Sequence, residues 1–292
     1  MDGVYIGAYE SCAQVENTYD TSDSVISNLN SAKLASIAGV KPISGANKQF
    51  TTTIAETMAK NRGNGWHITN LQVESALQML QIVEFGSMNM QSALEDGIVN
   101  LTSVASTNTS SNTGSTTLLG NISGHADSTT NITNNKTTTY NAAGTRAISY
   151  RGMENPWGNT WRMVGGANVI GNGVGAGTVY ICTDFNYTPN DGGSNYVSVN
   201  FSLSANSDWI SAFGYGNSTY DWVFLPIEAN NANSALPVGD NFWVTTNLTG
   251  INAVLCGGSN YFGSGCGPFT YAFDQSPSVS GRCNNARLMY VG

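Results

Sequence analysis

The chain has 292 residues, of which 40% are hydrophobic and only 10% charged, with a formal net charge of −8. That length allows one or two domains and an ample core. Every Lys and Arg lies outside residues 163–281, so the chain lacks the clustered cations that a nucleic-acid or anionic-membrane surface requires.

The 33 glycines, with abundant Asn, Ser and Thr, point to a β-rich and loop-rich chain, in the manner of extracellular or virion proteins. Five cysteines, Cys12, Cys182, Cys256, Cys266 and Cys283, form no CxxC pair, and zinc sites need tighter paired spacing. They read as separate buried thiols, with a Cys256–Cys266 disulfide as the alternative. No apolar run approaches the roughly 20 residues of a membrane span. Met1-Asp2-Gly3 lacks the basic start and apolar run of a secretory leader, and the chain reads as a domain of something longer.

In chain order, residues 4–9 alternate as a strand and residues 10–32 are a polar loop. Residues 34–40, before Pro42, form a short extended piece. Residues 51–61 (TTTIAETMAKN) are predicted helical, with Thr51 to Thr53 offering an N-cap and Ile54 and Met58 four apart. Gly63 and Gly65 stop that helix. A second helix runs over 70–85, capped by Thr69 or Asn70 and ended by Gly86. Leu71, Val73, Leu77, Leu80, Val83 and Phe85 supply its apolar face. Residues 101–145 are a Thr/Asn/Ser/Gly-rich insertion, expected to protrude as an arm or to be mobile. Short strands follow at 178–183, 196–203, 222–225, 241–246, 253–256 and 286–291. Helices first and strands after is an α+β order. Residues 1–47 form an N-terminal strand and extended segment, ahead of a domain over 48–292.

Three landmarks carry a resemblance. They are Trp66 with a helix ending Ile-Val-Glu84-Phe85-Gly86 and Gln91 after it, the segment Arg151-Gly-Met-Glu154-Asn155-Pro156-Trp157-Gly158-Asn159-Thr-Trp161, and the ending Gly257-Gly258-Ser259 … Gly267 … Ala286-Arg287-Leu288. In this order, over roughly residues 48–100 and 150–292, the chain resembles the C-type-lectin-fold proteins of phage tail fibres and of diversity-generating retroelements, the major tropism determinant family. It is more remotely similar to the formylglycine-generating enzyme fold. The resemblance implies a two-helix domain with a twisted antiparallel sheet and long loops. It also implies a homotrimer on a virion tail fibre or at a cell surface, and binding of a host-cell surface protein or glycan through C-terminal loops. Diversified members vary just after a Gly-Gly pair and before the last strand. Here that maps onto Ser259, Asn260, Tyr261, Phe262, Ser264, Cys266, Tyr271 and Asn284.

The residues themselves favour the same region. Glycines punctuate an aromatic and small polar run, the composition of adaptable binding loops, and Tyr215 between Gly214 and Gly216 offers a second loop. Phe269 and Phe273 read as core. Arg151, Glu154 and Asn155 read as a buried clamp that fixes loops, with Arg287 in similar scaffolding. His67 is a packing or capping residue and His125 is isolated. Asp184, Asp191 and Asp208 are scattered in loops without the spacing of a calcium loop, so no metal, cofactor or catalytic residue is expected. A structural tail or baseplate component is the alternative, and a formylglycine-generating-type enzyme a further one.

Overall fold

A computed structural model describes every residue except 1–2, 47, 103, 105, 183, 186, 188–194 and 231–237. The chain opens on β1 (Val4–Ile6), followed by β2 (Cys12–Val15), β3 (Thr18–Tyr19) and β4 (Lys33–Ala35). Helix α1 (Thr52–Lys60), β5 (Trp66–Ile68), α2 (Leu71–Phe85) and the one-turn α3 (Met90–Ala93) come next. The Thr/Asn-rich segment carries β6 (Gly124–His125) and the hairpin of β7 (Thr129–Thr133) and β8 (Lys136–Tyr140). After it run β9 (Ile148–Tyr150), β10 (Met153–Glu154), the long β11 (Trp161–Asn172), β12 (Thr178–Cys182) and β13 (Tyr196–Ser198). The chain finishes with β14 (Asp208–Tyr215), β15 (Phe224–Asn230), β16 (Asn241–Trp243), β17 (Thr249–Cys256), β18 (Tyr271–Gln275), β19 (Asn284–Asn285) and β20 (Leu288–Val291).

The architecture is mixed, compatible with α+β: three helices and a curled, mostly antiparallel sheet among the described residues. The main sheet is ordered β13-β12-β11-β17-β18-β16-β14-β15, with β19 parallel to β11 and β16 parallel to β18. The first and last strands meet in a second sheet, β1-β20-β5. One core packs the inner face of the main sheet, where Val169, Ile181, Val223, Phe242 and Phe269 are buried. The other joins β11 and β17 to α1 and the N-terminal segment through Phe50, Met58, Met163 and Leu255.

Both helices start and stop by the chemistry their sequence announces. Thr51 accepts from the Ile54 amide at the head of α1, and Asn70 from the Val73 amide at the head of α2. Gly86, at φ 62°, closes α2 in the left-handed conformation. The expected apolar face of α2 is corrected: Leu71 and Val73 are buried, but Leu80 is 51% and Val83 83% exposed. Beyond the first turn the buried side chains are Glu74, Ser75, Gln78 and Gln81. For Glu74 and Gln78 the reason is polar pairing in the β-rich half. Arg162 on β11 donates from Nε and Nη2 to the two carboxylate oxygens of Glu74, at 2.8 and 2.7 Å. Gln78 donates to the Pro268 carbonyl and to the Tyr271 hydroxyl.

Residues 10–32, expected as a loop, instead contain β2, β3 and a turn in which the Asp20 carboxylate accepts from the amides of Ser24, Val25 and Ile26. The expectation of a protruding or mobile 101–145 segment is corrected for its first part, while residues 117–118, 120–122 and most of 134–143 are exposed. Asn108, Thr109, Ser110, Ser111 and Thr113 are buried. They close over Lys41, whose ammonium donates to the Ser110 and Ile132 carbonyls and to Asn131 Oδ1. Burial pulls that amine down to about 8, and its three acceptors tie the β7–β8 hairpin to the N-terminal segment. No helix among the described residues is long and apolar enough to cross a membrane.

The Glu74–Arg162 pair makes a direct prediction. Removing one member of a buried pair strands the other charge, at a cost of about 3–5 kcal/mol. Glu74→Gln should lose at least about 3 kcal/mol of unfolding free energy in a denaturant titration. A loss below about 1 kcal/mol would show that α2 is held by apolar contacts instead.

Candidate functional site

The C-terminal site is built on a rigid turn between β17 and β18. Gly257 and Gly258 both lie at positive φ, 89° and 76°. A Cβ at Gly258 would stand 2.4 Å from Cys266 Sγ, so only glycine permits the close crossing. The turn is fastened on every side. Gly158 donates to the Gly257 carbonyl and Gly257 to the Thr270 carbonyl. Asn260 donates to the Asn159 carbonyl and accepts from the Leu101 amide, and its side-chain amide donates to the Thr109 hydroxyl. Gly263, which begins a 3-10 turn over Gly263–Gly265, donates to the Val99 carbonyl. The polar insertion thereby forms the floor beneath the C-terminal loop.

Above that floor a pocket of about 310 Å³ opens between β11, β16, β18 and the 276–283 loop. Its aromatic wall is Trp161, Trp243 and Phe262, which meet edge to face at ring separations of 4.9–5.5 Å. Such arrangements fix ring orientation and add to area burial. Tyr261 stands at the mouth, 37% exposed, with the Arg282 guanidinium 5.2 Å from its ring centre. Asp274 and Gln275 complete the polar side, and the Asp274 carboxylate is oriented by Thr245 Oγ1 at 2.9 Å and Gln275 Nε2 at 2.8 Å. Partial burial pushes the Tyr261 phenol up from its ordinary value, so it stays a neutral donor.

The predicted residues divide sharply. Tyr261, Phe262 and Asn284 line this pocket, and Ser264 is exposed on the adjoining 3-10 turn. The expectation that Ser259, Asn260, Cys266, Tyr271 and Asn284 belong to one exposed patch is corrected, because all five are buried. Ser259 and Cys266 face each other, the Cys266 thiol donating to the Ser259 carbonyl. Asn260 is the fastener of the loop. Tyr271 stacks on Phe273 at 5.4 Å and takes its hydrogen bond from Gln78. Asn284 pairs with Trp161 as β19 joins β11. Tyr215 is 61% exposed at the end of β14, against Phe224, and lies outside the pocket lining. Phe269 and Phe273 are core, as expected.

Trp161, Trp243, Asp274 and Arg282 were not anticipated as pocket residues. Their one sequence signal is Arg282, the first basic residue after a long stretch without any. The predicted clamp is corrected in one member. Arg151 is exposed and pairs with Glu84. Glu154 and Asn155 are buried, and it is Arg287 that donates to their carbonyls and to that of Gly7. His67 packs against Tyr187 and pairs with Glu56, while His125 pairs with Glu95. All five cysteines are buried free thiols. Burial pushes the Cys283 thiol, which borders the pocket, up from its ordinary value. Among the acids considered for calcium, Asp191 lies outside the described residues. No group of three or more His, Cys, Asp or Glu able to hold a metal ion occurs among the described residues. The chain matches no protein-family model and no curated protein sequence.

Asp240 supports the loop from below. Its Oδ2 accepts from the Phe269 amide at 2.8 Å, and Oδ1 has no partner among the described residues. Burial pushes this carboxyl well above the ordinary range. An acid with a raised folded pKa favours folding most fully below its unfolded value of about 4 and loses that contribution as pH rises. Asp240→Asn should therefore melt above the parent chain at pH 7, and the gap should close as pH falls towards 4. An equal gap at both pH values in thermal melts would contradict the assignment.

Proposed function

We propose that this chain is a receptor-binding protein of C-type-lectin-like fold, which recognises a host-cell surface protein or glycan through the Tyr261–Phe262 pocket. One observation carries the reading. A half-exposed Tyr and a part-buried aromatic wall line a cleft with Asp274 and Arg282 on its polar side, on a loop whose backbone is hydrogen-bonded to the segments beneath it. Concave sites with an apolar lining and a few oriented polar groups are the usual form of a ligand pocket. Aromatic and Arg side chains at such a centre carry most of the binding energy. The buried positions in the loop serve the reading differently from the sequence expectation: Asn260 and Gly258 hold the loop, and Tyr261, Phe262 and Ser264 meet the ligand.

Binding is favoured over catalysis by the thiols. A nucleophilic cysteine needs a depressed pKa, and burial drives Cys266 and Cys283 the other way. The proposal extends to a phage tail-fibre tip or a retroelement-diversified protein, at a virion or cell surface, assembled as a homotrimer. The low charge of the chain and the apolar outward side of α2, at Leu80 and Val83, suit burial between copies, which desolvates few ions. Trimeric display multiplies a weak single-site affinity.

Tyr261→Ala should abolish adsorption of the labelled chain to host cells, while its melting temperature stays within a degree or so of the parent, since truncating an interface anchor costs roughly 2 kcal/mol or more of binding. Normal adsorption by that variant would place recognition elsewhere. Light scattering at micromolar concentration should return three times the chain mass, and a monomer would contradict the assembly.

A further inference from the structure

The β1-β20-β5 sheet carries a row of aromatic rings that the C-terminal pocket does not use. Tyr5 is registered opposite Tyr290, and Tyr290 opposite Trp66, so one aromatic from each strand falls on the same line across the sheet. Their ring centres are 6.2 and 4.9 Å apart. Arg62 extends the row, its guanidinium 5.0 Å from the Trp66 ring centre. Nη1 holds it there by donating to Gln14 Oε1 and to the Leu34 carbonyl. Tyr5 is 64% exposed. A groove of about 710 Å³ runs over this row, and Tyr19, 38% exposed, stands on its other wall.

We propose that this groove is a second binding site, for an extended glycan chain whose sugar rings stack along the Tyr5–Tyr290–Trp66 row. Three features select that chemistry. The rings form a line, one per strand, and a pyranose presents an apolar face to a ring while its hydroxyls point sideways. The tyrosines offer an apolar body with a polar tip, and the hydroxyls of Tyr5, Tyr19 and Tyr290 bond to no described residue, so they are available to sugar hydroxyls. The lining holds no Asp or Glu, and Arg62 is its one charged residue among those described. Locally that favours a neutral or anionic chain over a basic one. The direction of the row matters too. A peptide added to the free edge of β1 would run along the strands and bind through its backbone, whereas a chain lying on these rings crosses all three strands.

The site is independent of the Tyr261 pocket, which shares none of its lining residues, and the test separates the two. The full chain, Tyr5→Ala, Tyr290→Val and Tyr261→Ala are applied to a printed array of hexose monosaccharides, of linear neutral hexose oligosaccharides and of uronate- and sialate-bearing oligosaccharides. A polyproline decapeptide is included on the same array. Bound oligosaccharides are then titrated in solution, and each variant is melted. Oligosaccharides should bind and monosaccharides should not. Tyr5→Ala should weaken binding roughly tenfold or more with its melting temperature unchanged, Tyr290→Val should weaken it similarly, and Tyr261→Ala should bind as the parent. Preference for the acidic chains would assign a carboxylate partner to Arg62, and equal binding of neutral chains would assign it a hydroxyl. The proposal is overturned if no oligosaccharide binds, if Tyr5→Ala binds unchanged, if Tyr261→Ala alone abolishes binding, or if only the polyproline peptide binds in a Tyr5-dependent way.

Discussion

A buried carboxylate on a helix, paired with a buried guanidinium on a strand, joins the two halves of this protein. Glu74 on α2 and Arg162 on β11 meet through two parallel hydrogen bonds, and both Arg162 Nη atoms also donate to the Pro156 carbonyl at 3.1 Å. The geometry is the fork-to-fork pairing in which a guanidinium is most specific. One interaction therefore sets the rotation of α2, the position of the long central strand and the Pro156–Asn159 turn. That turn receives the C-terminal loop, because Gly158 bonds to Gly257 and Asn159 accepts from Asn260. A shift of α2 would propagate to the pocket through the Glu74–Arg162–Pro156 contacts and then the backbone hydrogen bonds of this turn.

The same logic of buried polar pairing recurs through the fold. Glu10 sits among Asn155, Asn159 and Thr160, Lys41 among carbonyls of the insertion, and Arg287 among three carbonyls of two segments. A chain with so few charges spends several of them inside. Buried polar groups that find partners hold the loops around them in one arrangement. The surface is left with aromatic side chains on rigid supports: Tyr261 and Phe262 at one site, and Tyr5, Tyr290 and Trp66 at another.

The parts of the fold governed by local rules were legible in the sequence. Thr51, Asn70 and Gly86 fixed the helix ends, since capping needs only neighbours in sequence. Most late strands lay where β-branched and aromatic residues clustered. The inward face of α2 was not legible: Glu74 and Gln78 point to the core because Arg162, Pro268 and Tyr271 wait there, and those partners are 88 to 193 residues away. The Thr/Asn-rich segment misled for the same reason, its polarity answering a buried lysine 69 residues earlier. In the C-terminal loop, composition located the site but not the facing of each side chain. Ser259, Asn260 and Cys266 have the small size of exposed loop residues, yet the Gly257–Gly258 turn folds them beneath the loop. Trp161 and Trp243 became pocket walls only through the parallel joining of β16 to β18 and of β19 to β11.

The central claim is that the C-terminal loop is a rigid bracket and not a flexible tether, and amide hydrogen exchange on the intact chain addresses it directly. The amides of Gly257, Asn260, Gly263 and Phe269 each donate to a defined acceptor, and should exchange as slowly as those of β17 and β18, opening only with the core. Exchange of these four amides on the timescale of an unstructured loop, while β17 and β18 stay protected, would contradict the account.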